Sequence, residues 1–121
     1  MNEEEYKFFE FEGDRMEQNK AIRMLGLAMR AGKISFGTES VMDTITKKKS
    51  KLVIVANDAS ERTKRNIEKK ANECNVKIRI YETIETLSKS IGKENKAVIS
   101  INDINFANEI LKIIDGGEVI G

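Results

Sequence analysis

Apolar residues recur along this chain at two spacings, which predict five helices alternating with four strands. From about Gln18 they recur every three or four residues, with Ala21 and Leu25 among them, until Gly32 ends the first helix. Gly26 within this helix indicates close packing against a neighbour. The later helices are predicted to begin at a glycine or a capping residue, namely Gly37, Ser60, Thr83 and either Asn102 or Asp103.

Four short segments rich in apolar residues predict the strands, at residues 34–36, 52–56, 76–81 and 97–101. Residues 52–56 and 97–101 are almost entirely apolar, so we expect them to be central strands that are buried on both faces. Val76, Ile78 and Ile80 alternate with polar or amphipathic residues, which indicates a strand with one wetter face. The alternation of elements predicts an α/β fold, a three-layer α/β/α sandwich around a four-stranded mixed sheet.

The composition narrows the classes of function that this chain can serve. Its 121 residues, of which 40% are apolar, fit one globular domain. The longest apolar run is far too short to span a membrane and no signal pattern opens the chain, so we expect a cytoplasmic protein. Cys74 is the only cysteine and histidine is absent, which removes the usual zinc sites and all histidine-dependent triads. We therefore expect no metal, no small-molecule cofactor and no catalytic residue.

Charge divides the chain into two parts. Residues 1–15 carry six acids against two bases, whereas residues 19–59 carry eight bases against three acids. We interpret residues 1–17 as an acidic, flexible extension and residues 18–121 as a single domain. The extension also holds four aromatic residues, and its composition is compatible with covering the basic face, with docking a partner, or with no role.

The most suggestive local chemistry lies where the basic turn at Arg30 and Lys33 leads into the helix that opens at Gly37. A helix N-terminus offers free backbone N–H groups to an anion, and the neighbouring cations add attraction. No glycine-rich nucleotide-binding motif accompanies this turn. Phosphate or RNA is therefore the ligand that the turn favours.

Several ordered motifs carry a resemblance to a known family: residues 25–33, Phe36 with Gly37, residues 51–58, and the ending around Phe106. Over about residues 19–115 the chain resembles the kink-turn RNA-binding ribosomal protein family that contains large-subunit proteins seven-A-e and thirty-e, in its bacterial YlxQ-like branch. The resemblance implies a non-enzymatic, ribosome-associated protein whose partner is structured RNA, such as ribosomal RNA or the ribosome. The helix that opens at Gly37 would read the tandem sheared G·A pairs of a kink-turn.

At the polar contact positions of the family, asparagine, glutamate and lysine, this chain holds Glu39, Ser40 and Asp43 instead. Two of these replacements place carboxylates where RNA would lie, so a second hypothesis is a protein–protein interaction module on the same fold that has lost kink-turn binding. The RNA-binding face predicted from the basic turn and the resemblance comprises Arg30, Lys33, Gly37, Thr38, Glu39, Ser40, Asp43, Asn57, Asp58, Lys93, Asn95 and Lys96.

Overall fold

The computed structural model describes residues 12–116, in which five helices alternate with four strands. The helices are α1 (Glu12–Arg30), α2 (Thr38–Thr46), α3 (Glu61–Glu73), α4 (Ile84–Ser90) and α5 (Ile104–Asp115). The strands are β1 (Ile34–Phe36), β2 (Leu52–Val55), β3 (Lys77–Ile80) and β4 (Val98–Ile101). No helix within this described part is long and apolar enough to cross a membrane.

The four strands form one mixed sheet in the order β1-β4-β2-β3. Strand β2 runs parallel to β3 and antiparallel to β4, and β4 is also antiparallel to β1. Both central strands are completely buried, and Leu52 of β2 lies opposite Ile101 of β4. The predicted central strands and the mixed sheet are therefore confirmed.

Helices cover both faces of the sheet. Helix α1 packs against α4 and α5, and α2 packs against α3, which gives the predicted three-layer sandwich. Leu25, Ile45, Ile67 and Ile110 come from four different helices and are completely buried against the strands. An ideal Cβ built on Gly26 lies 3.2 Å from the Ser90 carbonyl oxygen, so the close packing predicted for this glycine is confirmed.

Side-chain caps start three of the helices. Ser60, Thr83 and Asp103 each accept a hydrogen bond from the backbone N–H three residues further on, at 3.0 to 3.1 Å. The sequence left open whether Asn102 or Asp103 caps α5, and Asp103 is the cap in the structure. The Asn102 side chain instead donates to the Ser35 hydroxyl over 2.9 Å and so links the end of β4 to the middle of β1.

Two local predictions differ from the structure. Helix α1 begins at Glu12 instead of near Gln18, because good helix formers such as Arg15 and Glu17 continue the helix upstream of its apolar stripe. The rest of the expected acidic extension, residues 1–11, lies outside the described residues. Ile80 is 50% exposed, and the alternation fails there because it is the last residue of an edge strand.

Candidate functional site

Helix α2 begins without a side-chain cap, unlike α3, α4 and α5. Its N-cap position is Gly37, whose φ of 88° lies in the region that favours glycine and whose N–H donates to the Val98 carbonyl over 2.9 Å. Because Gly37 has no side chain, it cannot accept from the N–H groups of Thr38, Glu39 and Ser40. These groups lie at the positive end of the helix dipole and suit an anionic or acceptor-rich ligand.

Two lysines stand beside this helix start. The ammonium groups of Lys93 and Lys96 lie 5.2 Å and 5.6 Å from the centre of the Phe36 ring. Phe36 directly precedes Gly37 and is half-buried, so its ring is fixed by the core. We use the term α2 surface for Phe36, Gly37, Ser40, Lys93 and Lys96.

The loop that carries the two lysines is held by Ser88 of α4. The Lys96 N–H donates to the Ser88 hydroxyl over 2.8 Å, and that hydroxyl donates to the Lys96 carbonyl over 3.3 Å. The Lys93 N–H also donates to the Ser88 carbonyl, over 2.8 Å. Because Ser88 is buried, the backbone of this polar loop is anchored while its lysine side chains face outward.

The structure gathers six of the predicted site residues around the first turns of α2. These residues line one concave surface: Gly37, Thr38, Glu39, Ser40, Asp43 and Lys96. The adjoining groove is lined by three more, Asp58, Lys93 and Asn95. Asp58 also has a structural role, since its carboxylate accepts from the Ile84 N–H over 2.8 Å at the start of α4.

A neighbouring surface, which shares Ser40 and Asp43 with the concave surface at the start of α2, is rich in lysines. It is lined by Lys33 and by the lysines of residues 47–51, which follow the end of α2 at Thr46. The Asp43 carboxylate lies 3.0 Å from the Lys47 ammonium, one turn along, and both side chains are exposed. This pairing partly offsets the negative charge of Asp43 beside the first turns of α2.

Asn57 and Arg30 line neither the concave surface at the start of α2 nor the groove of Asp58 and Lys93. The backbone of Asn57 is engaged, because its N–H donates to the Glu82 carbonyl over 2.7 Å and its carbonyl accepts from the Lys64 ammonium over 2.7 Å. Its side chain is exposed at the end of β2. Arg30 lines a different groove, between α1 and the end of α4, which it shares with Lys89 and Gly92.

Sequence reasoning missed two residues that organise the site, Phe36 and Ser88. Phe36 could have been found from its position directly before a glycine in one of the motifs, whereas no local pattern connects Ser88 with Lys96.

Cys74 is half-buried and packs against the core, as is typical of a structural cysteine. Among residues 12–116, no group of three or more possible metal ligands comes together.

The α/β/α sandwich and the cationic surface at an uncapped helix start define a small domain with a recognition surface suited to anionic ligands. The chain belongs to the Ribosomal protein L7Ae/L30e/S12e/Gadd45 family, whose model matches residues 19–111. The resemblance inferred from the motifs is thereby confirmed.

Two curated relatives have the same description. The chain is 39% identical over 105 residues to the RNA-binding protein YlxQ of Enterococcus faecium, an alignment that covers 87% of this chain and 98% of the relative. It is 36% identical over 92 residues to the RNA-binding protein YlxQ of Bacillus subtilis (strain 168), covering 76% and 92% respectively. Both descriptions name RNA-binding proteins, which is the ligand class that the resemblance implies.

A solved structure has the same fold. It is described as a protein with unknown function from Bacillus halodurans C, and it matches with a TM-score of 0.77 at 29% sequence identity. The match covers 79% of this chain and 97% of the other. The predicted α/β architecture is thus supported by an independent structure.

Proposed function

We propose that this chain is a non-enzymatic RNA-binding protein that recognises structured, kink-turn-like RNA through the α2 surface, in the cytoplasm and in association with the ribosome. The observation that carries the proposal is the placement of Lys93 and Lys96 against Phe36, directly beside the uncapped start of α2. Membership of the family and the RNA-binding relatives support the same ligand class.

Each part of the α2 surface matches a chemical group of folded RNA. The N–H groups of the first turn of α2 suit the acceptors of exposed base edges or phosphate oxygens. Lys93 and Lys96 suit the phosphates on either side, which position the RNA without reading its sequence. In a sheared G·A pair the guanine keeps its N1–H free, and a carboxylate such as that of Glu39 is a suitable acceptor for it.

The direct test compares a kink-turn RNA with a straight duplex of equal length, using the full chain at several salt concentrations. Wild type is expected to prefer the kink-turn. Replacing both lysines, Lys93→Ala with Lys96→Ala, should weaken binding. The salt slope should also fall by about 0.7 to 0.9 log unit for each phosphate that the variant no longer neutralises.

A matched control removes two lysines elsewhere. Lys69→Ala with Lys112→Ala changes the net charge equally but alters exposed positions on α3 and α5, outside the α2 surface. The proposal requires the control pair to bind RNA like wild type. Equal losses for both pairs would mean that total charge, and not the α2 surface, determines binding.

The second candidate function is a protein–protein interaction module that has lost kink-turn binding. Glu39 and Asp43 favour it, because both carboxylates line the concave surface where RNA would otherwise be bound. The same titrations separate the two candidates. If wild type binds neither RNA at physiological salt, the RNA proposal is wrong and the interaction module is supported.

A further inference from the structure

A second concave surface lies at the other end of the sheet, where β2 begins and β4 ends. Its apolar part is formed by Val76, Ile104 and Leu111, and we call it the α5 groove because two of these residues belong to α5. Ile104 is 52% exposed although it is a large aliphatic residue, while Val76 and Leu111 are half-buried against the core. The groove therefore leaves apolar surface in contact with water.

The rim of the α5 groove is positively charged. Lys48, Lys51 and Lys77 line it, and no aspartate or glutamate is among its lining residues. Asp115 lies close enough to Lys77 for an electrostatic interaction but is already paired with Arg79 at 3.0 Å. An occupant of this groove should therefore combine apolar side chains with carboxylates.

The same lining argues against nucleic acid as the occupant. Single-stranded RNA is held by aromatic rings or arginine planes on which bases stack, and none of the lining residues is aromatic or arginine. The floor is aliphatic, which suits the apolar side chains of a peptide. A protein segment with acidic and aromatic residues fits both the floor and the rim.

The chain itself contains such a segment. Residues 1–11 hold four glutamates, four aromatic residues and a single lysine. We propose that residues 1–11 of one copy of this protein bind in the α5 groove of a second copy, with aromatic rings on Ile104 and Leu111 and glutamates facing the lysine rim. This interaction uses a surface apart from the α2 surface and does not rest on RNA binding.

The geometry of α1 favours binding between copies over binding within one. Arg30, the last residue of α1, lies close to the groove end of the sheet, since Lys33 accepts there from the Asn102 N–H. The 19 residues of α1 carry the chain about 27 Å along the helix axis to Glu12. Even when fully extended, the chain from Phe8 to Glu12 spans at most about 14 Å, which is shorter than α1, whereas only the first few residues of the chain, before the phenylalanines, could span the full length of α1. A groove on a second copy is therefore the one that the three phenylalanines can reach.

The test measures self-association of the full chain by sedimentation equilibrium from about 1 to about 500 μM, at low and high salt. Wild type should associate in a concentration-dependent manner, more weakly at high salt. Ile104→Ser should weaken association at least about tenfold. The matched control is Ile80→Ser, which removes an equally exposed isoleucine from β3 outside the groove and should associate like wild type.

Charge reversal tests whether the lysine rim of the groove contacts the glutamates of residues 1–11. Changing Lys51→Glu and Lys77→Glu together should abolish association. Changing Glu3→Lys, Glu4→Lys and Glu5→Lys together should also abolish it, and combining the two sets should restore it.

A fluorescent peptide of residues 1–11, titrated into the full chain, should bind wild type and the Ile80→Ser control but not Ile104→Ser. Thermal melting confirms that each variant is folded.

Three results would overturn the proposal. The chain could remain monomeric at every concentration, which would mean that residues 1–11 do not link two copies even if the free peptide binds. Self-association could be identical in wild type and in the groove variants. The groove variants could instead lose affinity for RNA while self-association stays unchanged, which would assign the groove to nucleic acid.

Discussion

The ammonium group of Lys93 lies 5.2 Å from the centre of the Phe36 ring. Phe36, which directly precedes the uncapped start of α2, therefore positions a cation that a distant loop supplies. Lys96 lies over the same ring at 5.6 Å. Because Phe36 packs against the core on one side, a rigid ring organises two otherwise mobile side chains. The α2 surface thus depends on an aromatic residue that need not touch the ligand.

The first prediction concerns this ring. Phe36→Leu keeps an apolar side chain in the core but removes both cation–π contacts, each worth about 0.5 to 1 kcal/mol at an exposed site. RNA affinity should fall about threefold to tenfold because the lysines are less well positioned, as measured in the kink-turn titration. Phe106→Leu is the matched control, since it changes a half-buried phenylalanine on α5. If the two variants lose RNA affinity equally, Phe36 acts only through stability.

The structural features that the sequence predicted depend on residues close together along the chain. Ser60 and Thr83 were identifiable as caps because their partners lie three residues away, and Gly37 because an unusual backbone angle there requires glycine. The buried strands were recognisable because parallel and central strands are apolar on both faces. Local rules therefore accounted for the fold almost completely.

What the sequence could not show depends on long-range contacts. Nothing local brings Lys93 to Phe36, or the Asn102 amide to Ser35. The same limit explains Arg30, which sequence proximity grouped with Lys33 although the end of α1 turns it toward α4. The composition of the candidate site was thus partly predictable, but its arrangement required the fold.

A second prediction tests the contact between α1 and α4. Gly26→Ala adds a methyl group that would lie 3.2 Å from the Ser90 carbonyl oxygen, closer than nearly all such contacts. Alanine favours the helix by about 1 kcal/mol, but crowding a packed interface costs about 1 to 3 kcal/mol. We expect a net decrease of about 1 kcal/mol in the free energy of unfolding, measured by urea denaturation. A gain in stability would show that the two helices separate readily.

A third prediction concerns pH. Asp115 accepts hydrogen bonds from Arg79 Nε at 3.0 Å and Nη2 at 3.1 Å, and this contact lowers the pKa of Asp115 below its ordinary value of 3.8. The folded state therefore favours the carboxylate, so its stabilisation is fully present above about pH 4 and is lost as the pH falls further. Since both side chains are more than one third exposed, the effect should not exceed about 1 kcal/mol.

Urea unfolding of Asp115→Asn at several pH values checks this prediction. The variant should be slightly less stable than wild type at about pH 7, and the two should converge as the pH falls through the lowered pKa of Asp115. Glu109→Gln, on the same helix, removes a carboxylate whose contact with Lys112 is 3.9 Å long, and it should have a smaller effect at neutral pH. A difference between wild type and Asp115→Asn that persists in acid would mean that the contribution of Asp115 is not ionic.

The last prediction addresses the residues at the start of α2 that depart from the family pattern. Glu39→Asn, Ser40→Glu and Asp43→Lys restore the asparagine, glutamate and lysine of the pattern on the exposed side of α2. Each good base-edge contact is worth about 1 to 3 kcal/mol, so two restored contacts should raise kink-turn affinity at least about tenfold. The triple variant removes the Asp43 to Lys47 ion pair, but an exposed pair one turn apart contributes only about 0.3 to 0.5 kcal/mol.

Wild type and the triple variant should be titrated side by side with the kink-turn and the straight duplex. A gain on the kink-turn alone would mean that the first turn of α2 reads the RNA. A similar gain on both RNAs would indicate only the added positive charge, for which Asp43→Lys alone is the control. If wild type already binds the kink-turn tightly and the triple variant gains nothing, Glu39 and Ser40 make contacts as good as those of the family pattern, and the prediction is wrong.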